Sequence, residues 1–141
     1  GYTHQGWLTE DHKYFYLDDE LDETGGTVDK TRTLIWDFTD LENPKLVKEY
    51  FSREAASDHN QYVKGDYLYQ ANYRAGLRVL NIKDPVNPKE VAYFDTDPFR
   101  PNTPGFNGAW NIYPFFKSGA IIISSIEQGL FVVKTESGKE K

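Results

Sequence analysis

The sequence predicts an all-β protein built from repeated antiparallel sheets of four short strands. The turn motif D-x-x-N-P occurs at 40–44 and again at 84–88. Each copy lies between runs in which Tyr, Val, Leu, Ile and Phe alternate with polar residues, a period-two pattern that favours strands. Helical periodicity is weak throughout, and only the segment SREAASDH at 52–59 is suited to a single helical turn.

A third repeat lies near the C-terminus. Residues 118–135 align without gaps with residues 65–82 at an offset of 53, so that Gly129-Leu130 falls on Gly76-Leu77. The repeat starts also align, which places His59 over His4 and Asn107, and Tyr62 over Trp7 and Trp110. Since self-similarity at a fixed period indicates a repeat architecture, we predict three units of roughly 44 residues.

The middle repeat shows how each unit is built. Its predicted strands are 60–64, 66–72, 77–82 and 90–95. Asp84 is expected to accept a hydrogen bond from the backbone two residues on, while the two prolines of the turn fix φ at about −65°. The third repeat ends in ESGKEK without this turn, so its fourth strand is expected to be missing.

Four-stranded repeats of this length are typical of β-propeller blades. We predict blades at 2–52, 58–96 and 106–135, the last without its outer strand, and a disordered tail at 136–141. Three blades do not close a ring, so we expect half of a six-bladed ring with an unpaired edge at 130–134. The expected partner is a second copy of the chain, in a dimer or filament, or the missing blades of a longer parent chain.

Composition excludes several partners. The net charge is −6 and the Lys and Arg residues are scattered, which argues against a nucleic-acid-binding surface. No apolar run approaches the roughly 18 residues needed to cross a bilayer, so no transmembrane segment is predicted. Cysteine is absent, which excludes disulfides and thiolate metal sites.

The long loops of the predicted blades all emerge at one end of the propeller, where binding residues are expected. Inner strands begin there, and second strands connect there to third strands. The candidate ligand-binding residues at this end are His4, Trp7, Asp58, His59, Asn60, Tyr73, Arg74, Trp110 and Glu127. The alternative is that the aromatic residues pack blade against blade and that the histidines form hydrogen bonds between blades.

The acidic run DDELDE suggests a metal site. It supplies hard oxygen ligands suited to calcium or another divalent metal, from Asp18, Asp19, Glu20, Asp22 and Glu23. The spacing is not that of an EF-hand, and the alternative is a solvated acidic loop. Convergence of Asp58 or His59 on the run would favour the metal. A zinc or iron site made by His4, His59 and one carboxylate is a weaker alternative.

Several segments carry a family resemblance. They are HQGWLTEDHKYFYLDDELDE, TRTLIWDFTDLENP, DHNQYVKGDYLYQANYRAGLRVLNIKDPVNP, FNGAWNIYPFF and IEQGLFVVK. Residues 2–134 strongly resemble the C-terminal part of LVIVD-repeat proteins, specifically the choice-of-anchor B family of bacterial surface or secreted proteins. The resemblance implies an extracellular or cell-surface location, with the periplasm as the alternative. The N-terminal repeats and the anchor of that family have no counterpart in these segments.

No catalytic residue is assigned. The sequence has no Gly-x-Ser-x-Gly elbow, and TGGTVDK lacks the spacing of a phosphate-binding loop. The sequence therefore predicts a non-catalytic extracellular or cell-surface module for binding and assembly, whose loop-rich face holds a metal ion or ligand. The alternative function is a secreted metal-dependent hydrolase or lyase with its site on the same face.

Overall fold

The computed structural model describes residues 1–135, and the tail predicted at 136–141 lies outside this range. Residues 1–135 form strands and turns but no helix, so the all-β prediction is confirmed for them and 52–59 forms no helical turn. None of the described residues belongs to a helix capable of spanning a membrane. The strands are β1 (Gly6–Leu8), β2 (Tyr14–Leu17), β3 (Arg32–Asp37), β4 (Lys45–Phe51), β5 (Asn60–Lys64), β6 (Tyr67–Ala71), β7 (Leu77–Asn81), β8 (Lys89–Phe94), β9 (Ala109–Tyr113), β10 (Ala120–Ser125) and β11 (Gly129–Lys134).

The strands form three separate antiparallel sheets, each connected in chain order. The first contains β1 to β4, the second β5 to β8 and the third β9 to β11. The strands of the middle sheet begin and end within one residue of their predicted bounds. Within residues 1–135, β11 pairs only with β10, so the third sheet ends in the predicted unpaired edge.

The repeated turn has the same hydrogen bonds in both copies. Asp84 accepts hydrogen bonds from the backbone N–H of Val86 at 3.3 Å and from the side-chain amide of Asn87 at 2.9 Å. Asp40 accepts the corresponding two hydrogen bonds at 3.1 and 3.0 Å. The pairing of β3 with β4 and of β7 with β8 also contains a register shift at matching positions. The repeated motif therefore specifies a turn and bulge as one unit.

The strand register corrects the alignment of the third inner strand. Tyr69 pairs with Tyr62 in the second sheet, and its counterpart Ile122 pairs with Tyr113 in the third. Tyr113, rather than Trp110, is therefore the counterpart of Tyr62. The predicted alignment was wrong by three residues because the connections before and after β9 differ in length from those around β5.

The core lies between the faces of neighbouring sheets. One cluster joins the first and second sheets and contains Tyr16, Ile35, Val63, Leu68, Leu80 and Ile82. Another joins the second and third sheets and contains Ala71, Leu77, Val79, Ala109, Ile112, Ile121 and Ile123. The innermost strand β5 contacts β1 on one side and β9 on the other. This arrangement of meandering sheets, face to face with inner strands adjoining, is consistent with adjacent propeller blades.

Candidate functional site

The site begins where the N-terminal segment folds against the loop between β2 and β3. The backbone N–H of His4 donates to the carbonyl of Asp18 at 3.2 Å, and the N–H of Asp18 donates to the carbonyl of Gln5 at 3.0 Å. The N–H of Gln5 also donates to Oδ1 of Asp18 at 2.7 Å. These bonds hold the acidic run beside the start of the innermost strand.

The acidic run is buried, so the alternative of a solvated loop is wrong. Asp18, Asp19, Glu20, Asp22 and Glu23 are all buried. Burial follows because the loop is covered by the N-terminal segment on one side and by the residues that precede β5 on the other.

Asp58 reaches the acidic run from the second sheet. Its Oδ2 accepts a hydrogen bond from the backbone N–H of Asp19 at 3.4 Å. Carboxylate oxygens of Asp19, Glu23 and Asp58 lie within 4.8 Å of one another. Asp18 adds a fourth carboxylate, and its charge, after burial, raises the pKa of Asp58. We call these four residues the carboxylate cluster.

Each member of the carboxylate cluster has one buried oxygen without a hydrogen-bond partner among residues 1–135. The four atoms are Asp18 Oδ2, Asp19 Oδ1, Glu23 Oε2 and Asp58 Oδ1. A buried acceptor that gains no partner loses its hydration without compensation, and a buried charge loses far more. The cluster therefore requires protons or a cation in order to be stable.

The pKa values of the cluster show the same requirement. Burial, together with the charges of neighbouring carboxylates, raises the pKa of Asp18 to about 8 and that of Glu23 to about 7. Burial also raises the pKa of Asp58 well above its ordinary value, and that of Asp19 to a smaller degree. The metal-free cluster thus retains protons at pH values where exposed carboxylates have lost theirs.

Arg32 supplies the only arginine or lysine side chain that forms an ion pair with the cluster within the described chain. Its Nη2 lies 2.5 Å from Asp19 Oδ2 and 2.6 Å from Asp22 Oδ2. Its backbone N–H donates to Glu23 Oε1 at 3.1 Å. Asp22 is therefore engaged by the guanidinium, while one cation faces four cluster carboxylates. Arg32 was not predicted from the sequence, because its position at the first residue of β3 gives no signal of this role.

A second group combines two histidines with a carboxylate. His4 Nδ1 lies 3.4 Å from Glu20 Oε2, and His59 Nε2 lies 3.8 Å from Glu20 Oε1. The imidazole rings of His4 and His59 lie 4.6 Å apart. One ligand atom from each of the three residues falls within 4.8 Å of the others. We call this group the histidine cluster.

Hydrogen bonds orient two members of the histidine cluster. The Tyr73 hydroxyl donates to Glu20 Oε1 at 2.6 Å. His59 Nδ1 is hydrogen-bonded to the carbonyl oxygen of Trp110, and the Trp110 ring lies 4.2 Å from the His59 ring. The strand register makes Trp110 the counterpart of His59, which explains why the two meet. Burial lowers the pKa of His59 and thereby favours the neutral imidazole.

The backbone of Tyr73 is fixed by a close contact with the third sheet. Tyr73 has a φ of 35°, and its carbonyl accepts a hydrogen bond from the N–H of Ala109 at 2.8 Å. A Cβ at Gly108 would lie 2.3 Å from that carbonyl oxygen. Glycine at 108 therefore permits the approach that aims the Tyr73 side chain at Glu20.

The remaining candidate residues have other partners. Trp7 packs edge-on against Tyr62 with ring centroids 5.1 Å apart. This contact agrees with the alternative that the aromatic residues pack sheet against sheet. Asn60 donates to Asn111 at 3.3 Å, Arg74 pairs with Asp97 at 2.6 Å, and Glu127 accepts from the N–H of Gly108 at 2.9 Å. The structure thus brings Asp58, His59, Tyr73 and Trp110 together with His4 and the acidic run.

Comparison of the sequence with protein-family models gives no match, and comparison with curated proteins gives no significant match. The resemblance to LVIVD-repeat proteins therefore stays a prediction from the motifs.

Proposed function

We propose that this chain is a non-catalytic module for binding and assembly, located at the cell surface or outside the cell. Its loop-bearing end holds a hard divalent cation, and its two terminal sheets join sheets of a second copy. The location follows from the resemblance to LVIVD-repeat proteins. The observation that carries the proposal is the carboxylate cluster, in which four buried carboxylates each retain an unpartnered oxygen.

Calcium is the cation that suits this cluster best. Ca²⁺ takes about six to eight oxygen ligands in flexible geometry, and four carboxylates can supply that number when some bind through both oxygens. Mg²⁺ usually retains several waters in a strict octahedron, which a buried carboxylate cage does not favour. A bound Ca²⁺ would satisfy the unpartnered oxygens and offset the charge that Arg32 leaves uncompensated.

The assembly function is supported by the free face of the third sheet. Leu130 and Val132 are each 66% exposed. Their counterparts at the offset of 53, Leu77 and Val79, are 3% and 2% exposed because the third sheet covers them. The same apolar positions are therefore buried in the second sheet and uncovered in the third.

The complementary face is the face of the first sheet that is opposite to Tyr16 and Ile35 and therefore points away from the second sheet. Phe15 pairs with Trp36, which pairs with Leu46 on the outer strand, so all three lie on one face. Phe15 and Trp36 correspond to Leu68 and Leu80, which are covered by the first sheet in the core. A first sheet from a second copy would therefore meet the third sheet through the contacts that already join sheets within the chain. Repetition of such a head-to-tail contact forms a closed ring only if the rotation from copy to copy adds up to a full turn. Otherwise it forms a filament.

Calcium titration of the chelator-treated chain by isothermal calorimetry tests the cation site. We expect saturable binding that Asp58→Asn weakens by at least about tenfold, since one charged ligand is lost. Asp29→Asn, an exposed carboxylate of the same loop, is the matched control and should bind as the wild type does. Equal calcium affinity in the wild type and in Asp58→Asn would overturn the proposal.

Misfolding can be separated from loss of a ligand in the same experiment. In the absence of calcium, Asp58→Asn removes one of several crowded carboxylates and should not lower the free energy of unfolding. A variant that is folded and no less stable without calcium, yet gains less stability from calcium than the wild type does, identifies Asp58 as a ligand.

A further inference from the structure

We infer that His4, Glu20 and His59 bind a divalent transition metal of the Zn²⁺ class at a site separate from the carboxylate cluster. The two clusters share no residue, although Glu20 follows Asp19 directly in the chain. Imidazole nitrogens suit zinc and its neighbours, whereas the carboxylate cluster offers only oxygens. This inference does not rest on calcium binding or on assembly.

The distances within the histidine cluster fit a metal better than direct hydrogen bonds. His4 Nδ1 lies 3.4 Å from Glu20 Oε2 and His59 Nε2 lies 3.8 Å from Glu20 Oε1, and both distances are longer than ordinary N–H···O hydrogen bonds of about 2.7 to 3.2 Å. Tetrahedral zinc with bonds of about 2.0 to 2.1 Å separates neighbouring donor atoms by about 3.3 Å. Each histidine nitrogen thus lies near this spacing from one oxygen of Glu20, and one ligand atom from each of the three residues falls within 4.8 Å of the others.

The partners of His59 and Glu20 are those that a metal ligand needs. Metal-binding histidines almost always engage their second ring nitrogen with a carbonyl or carboxylate, which fixes the tautomer. His59 Nδ1 engages the carbonyl of Trp110 in this way and leaves Nε2 towards Glu20. The Tyr73 hydroxyl engages one oxygen of Glu20 at 2.6 Å. Both contacts come from elements outside the cluster and hold its donor atoms in place.

The cluster is open on the side of His4. The His4 side chain is 27% exposed, whereas those of His59 and Glu20 are buried. Two histidines and one carboxylate supply three protein ligands, which leaves a fourth position for water or for a ligand with a donor oxygen or nitrogen. A bound ion with this access is also what the alternative hydrolase function would require.

Titration with Co²⁺ and Zn²⁺, carried out both without Ca²⁺ and with excess Ca²⁺ as a competitor for oxygen-only sites, tests the inference. Visible absorption of Co²⁺ reports its coordination, and competition by Zn²⁺ gives the affinity. We expect a single tight site, with His4→Ala and Glu20→Gln losing more affinity than Tyr73→Phe, whose loss should be about 10- to 100-fold. Tyr73→Phe should also change the Co²⁺ spectrum, whereas loss of a side chain that only packs nearby should leave the spectrum unchanged.

His12→Asn is the matched control. His12 is the remaining histidine, lies in the turn after β1 and has a φ of 59°, which asparagine tolerates. The control should bind Co²⁺ and Zn²⁺ as the wild type does. His4→Ala changes an exposed side chain and should remain folded. Unchanged affinity in both His4→Ala and Glu20→Gln, or loss of binding in His12→Asn, would overturn the inference.

Discussion

The imidazole rings of His4 and His59 lie with their centroids 4.6 Å apart, although 55 positions separate them in the chain. Each histidine precedes the innermost strand of its sheet, and the two strands adjoin. Repetition therefore does more than build three sheets, because it brings equivalent side chains of neighbouring repeats together at the inner strands. The same geometry brings Asp58 against the acidic loop of the first repeat.

Arg32 is expected to stabilise the metal-free carboxylate cluster. Its side chain is largely buried between Asp19 and Asp22. Arg32→Gln should lower the free energy of unfolding by about 3 to 5 kcal/mol, since removing one partner leaves buried charge uncompensated. Urea denaturation without calcium measures the loss, and calcium should recover part of it by supplying positive charge.

Arg53→Gln is the control for Arg32→Gln. Arg53 also pairs with carboxylates, but its side chain is mostly exposed, so its replacement should cost no more than about 1 kcal/mol. Similar losses in the two variants would contradict the role assigned to Arg32.

The stability of the metal-free chain should fall as pH rises from 5 to 8. Burial raises the pKa of Asp18 from 3.8 to about 8 and that of Glu23 from 4.5 to about 7. Between these values the folded chain holds protons that the unfolded chain has released, so folding is disfavoured by about 1.4 kcal/mol per pH unit for each proton fully retained. Retention of these protons stabilises the fold fully at pH values below the carboxyl pKa values of the unfolded chain. This stabilisation is lost as the pH rises to the pKa values of the folded chain.

Urea denaturation across this pH range, in the presence of a chelator, measures the effect. Saturating calcium should reduce or reverse the slope, because the cation favours the deprotonated carboxylates. A metal-free stability that rises steadily towards pH 8 would show that the cluster does not retain protons.

The two glycines that end the loops between second and third strands should differ in their tolerance of alanine. Gly76 and Gly129 both have positive φ, 72° and 82°, so any side chain costs about 1 to 2 kcal/mol at either position. At Gly76 a Cβ would also lie 2.2 Å from the carbonyl oxygen of Phe94, whereas at Gly129 no atom of the described residues 1–135 lies within 4 Å. Thermal unfolding should therefore show a larger loss for Gly76→Ala than for Gly129→Ala. Equal losses would mean that the contact with Phe94 relaxes freely.

Local patterns were sufficient to predict the sheets. The D-x-x-N-P turn carries its own hydrogen bonds at Asp40 and Asp84, and the alternating runs beside it specify strands. Period-two alternation also separates the two faces of each strand, so the buried faces follow from the same pattern. The third inner strand was misaligned because the connections around β9 differ in length from those around β5, and residue types alone do not show such a difference.

The candidate site was harder to predict because its residues meet through tertiary contacts. The run DDELDE has the composition of a solvated loop, and only its cover by the N-terminal segment and by Asp58 buries it. The sequence also did not show that residues of the run face different partners. Glu20 faces the histidines, whereas Asp22 faces Arg32. Residue types predicted a metal site at this end of the sheets, but partners 10 to 53 positions away determine which oxygens remain free.

Self-association should depend on the free face of the third sheet. Val132 lies on that face, and glutamate there would place a charge in any contact that resembles the one formed by Val79. Val132→Glu should therefore shift the assembly proposed for the wild type towards the monomer of 16.3 kDa, as measured by chromatography with light scattering. Val91→Glu is the control, because Val91 is similarly exposed but lies on the outer strand of the middle sheet, which already has a neighbouring sheet on each side. Both side chains are exposed, so neither substitution should lower the melting temperature of the monomer by much. A wild-type chain that stays monomeric at high concentration, or equal dissociation of the two variants, would exclude assembly through this face.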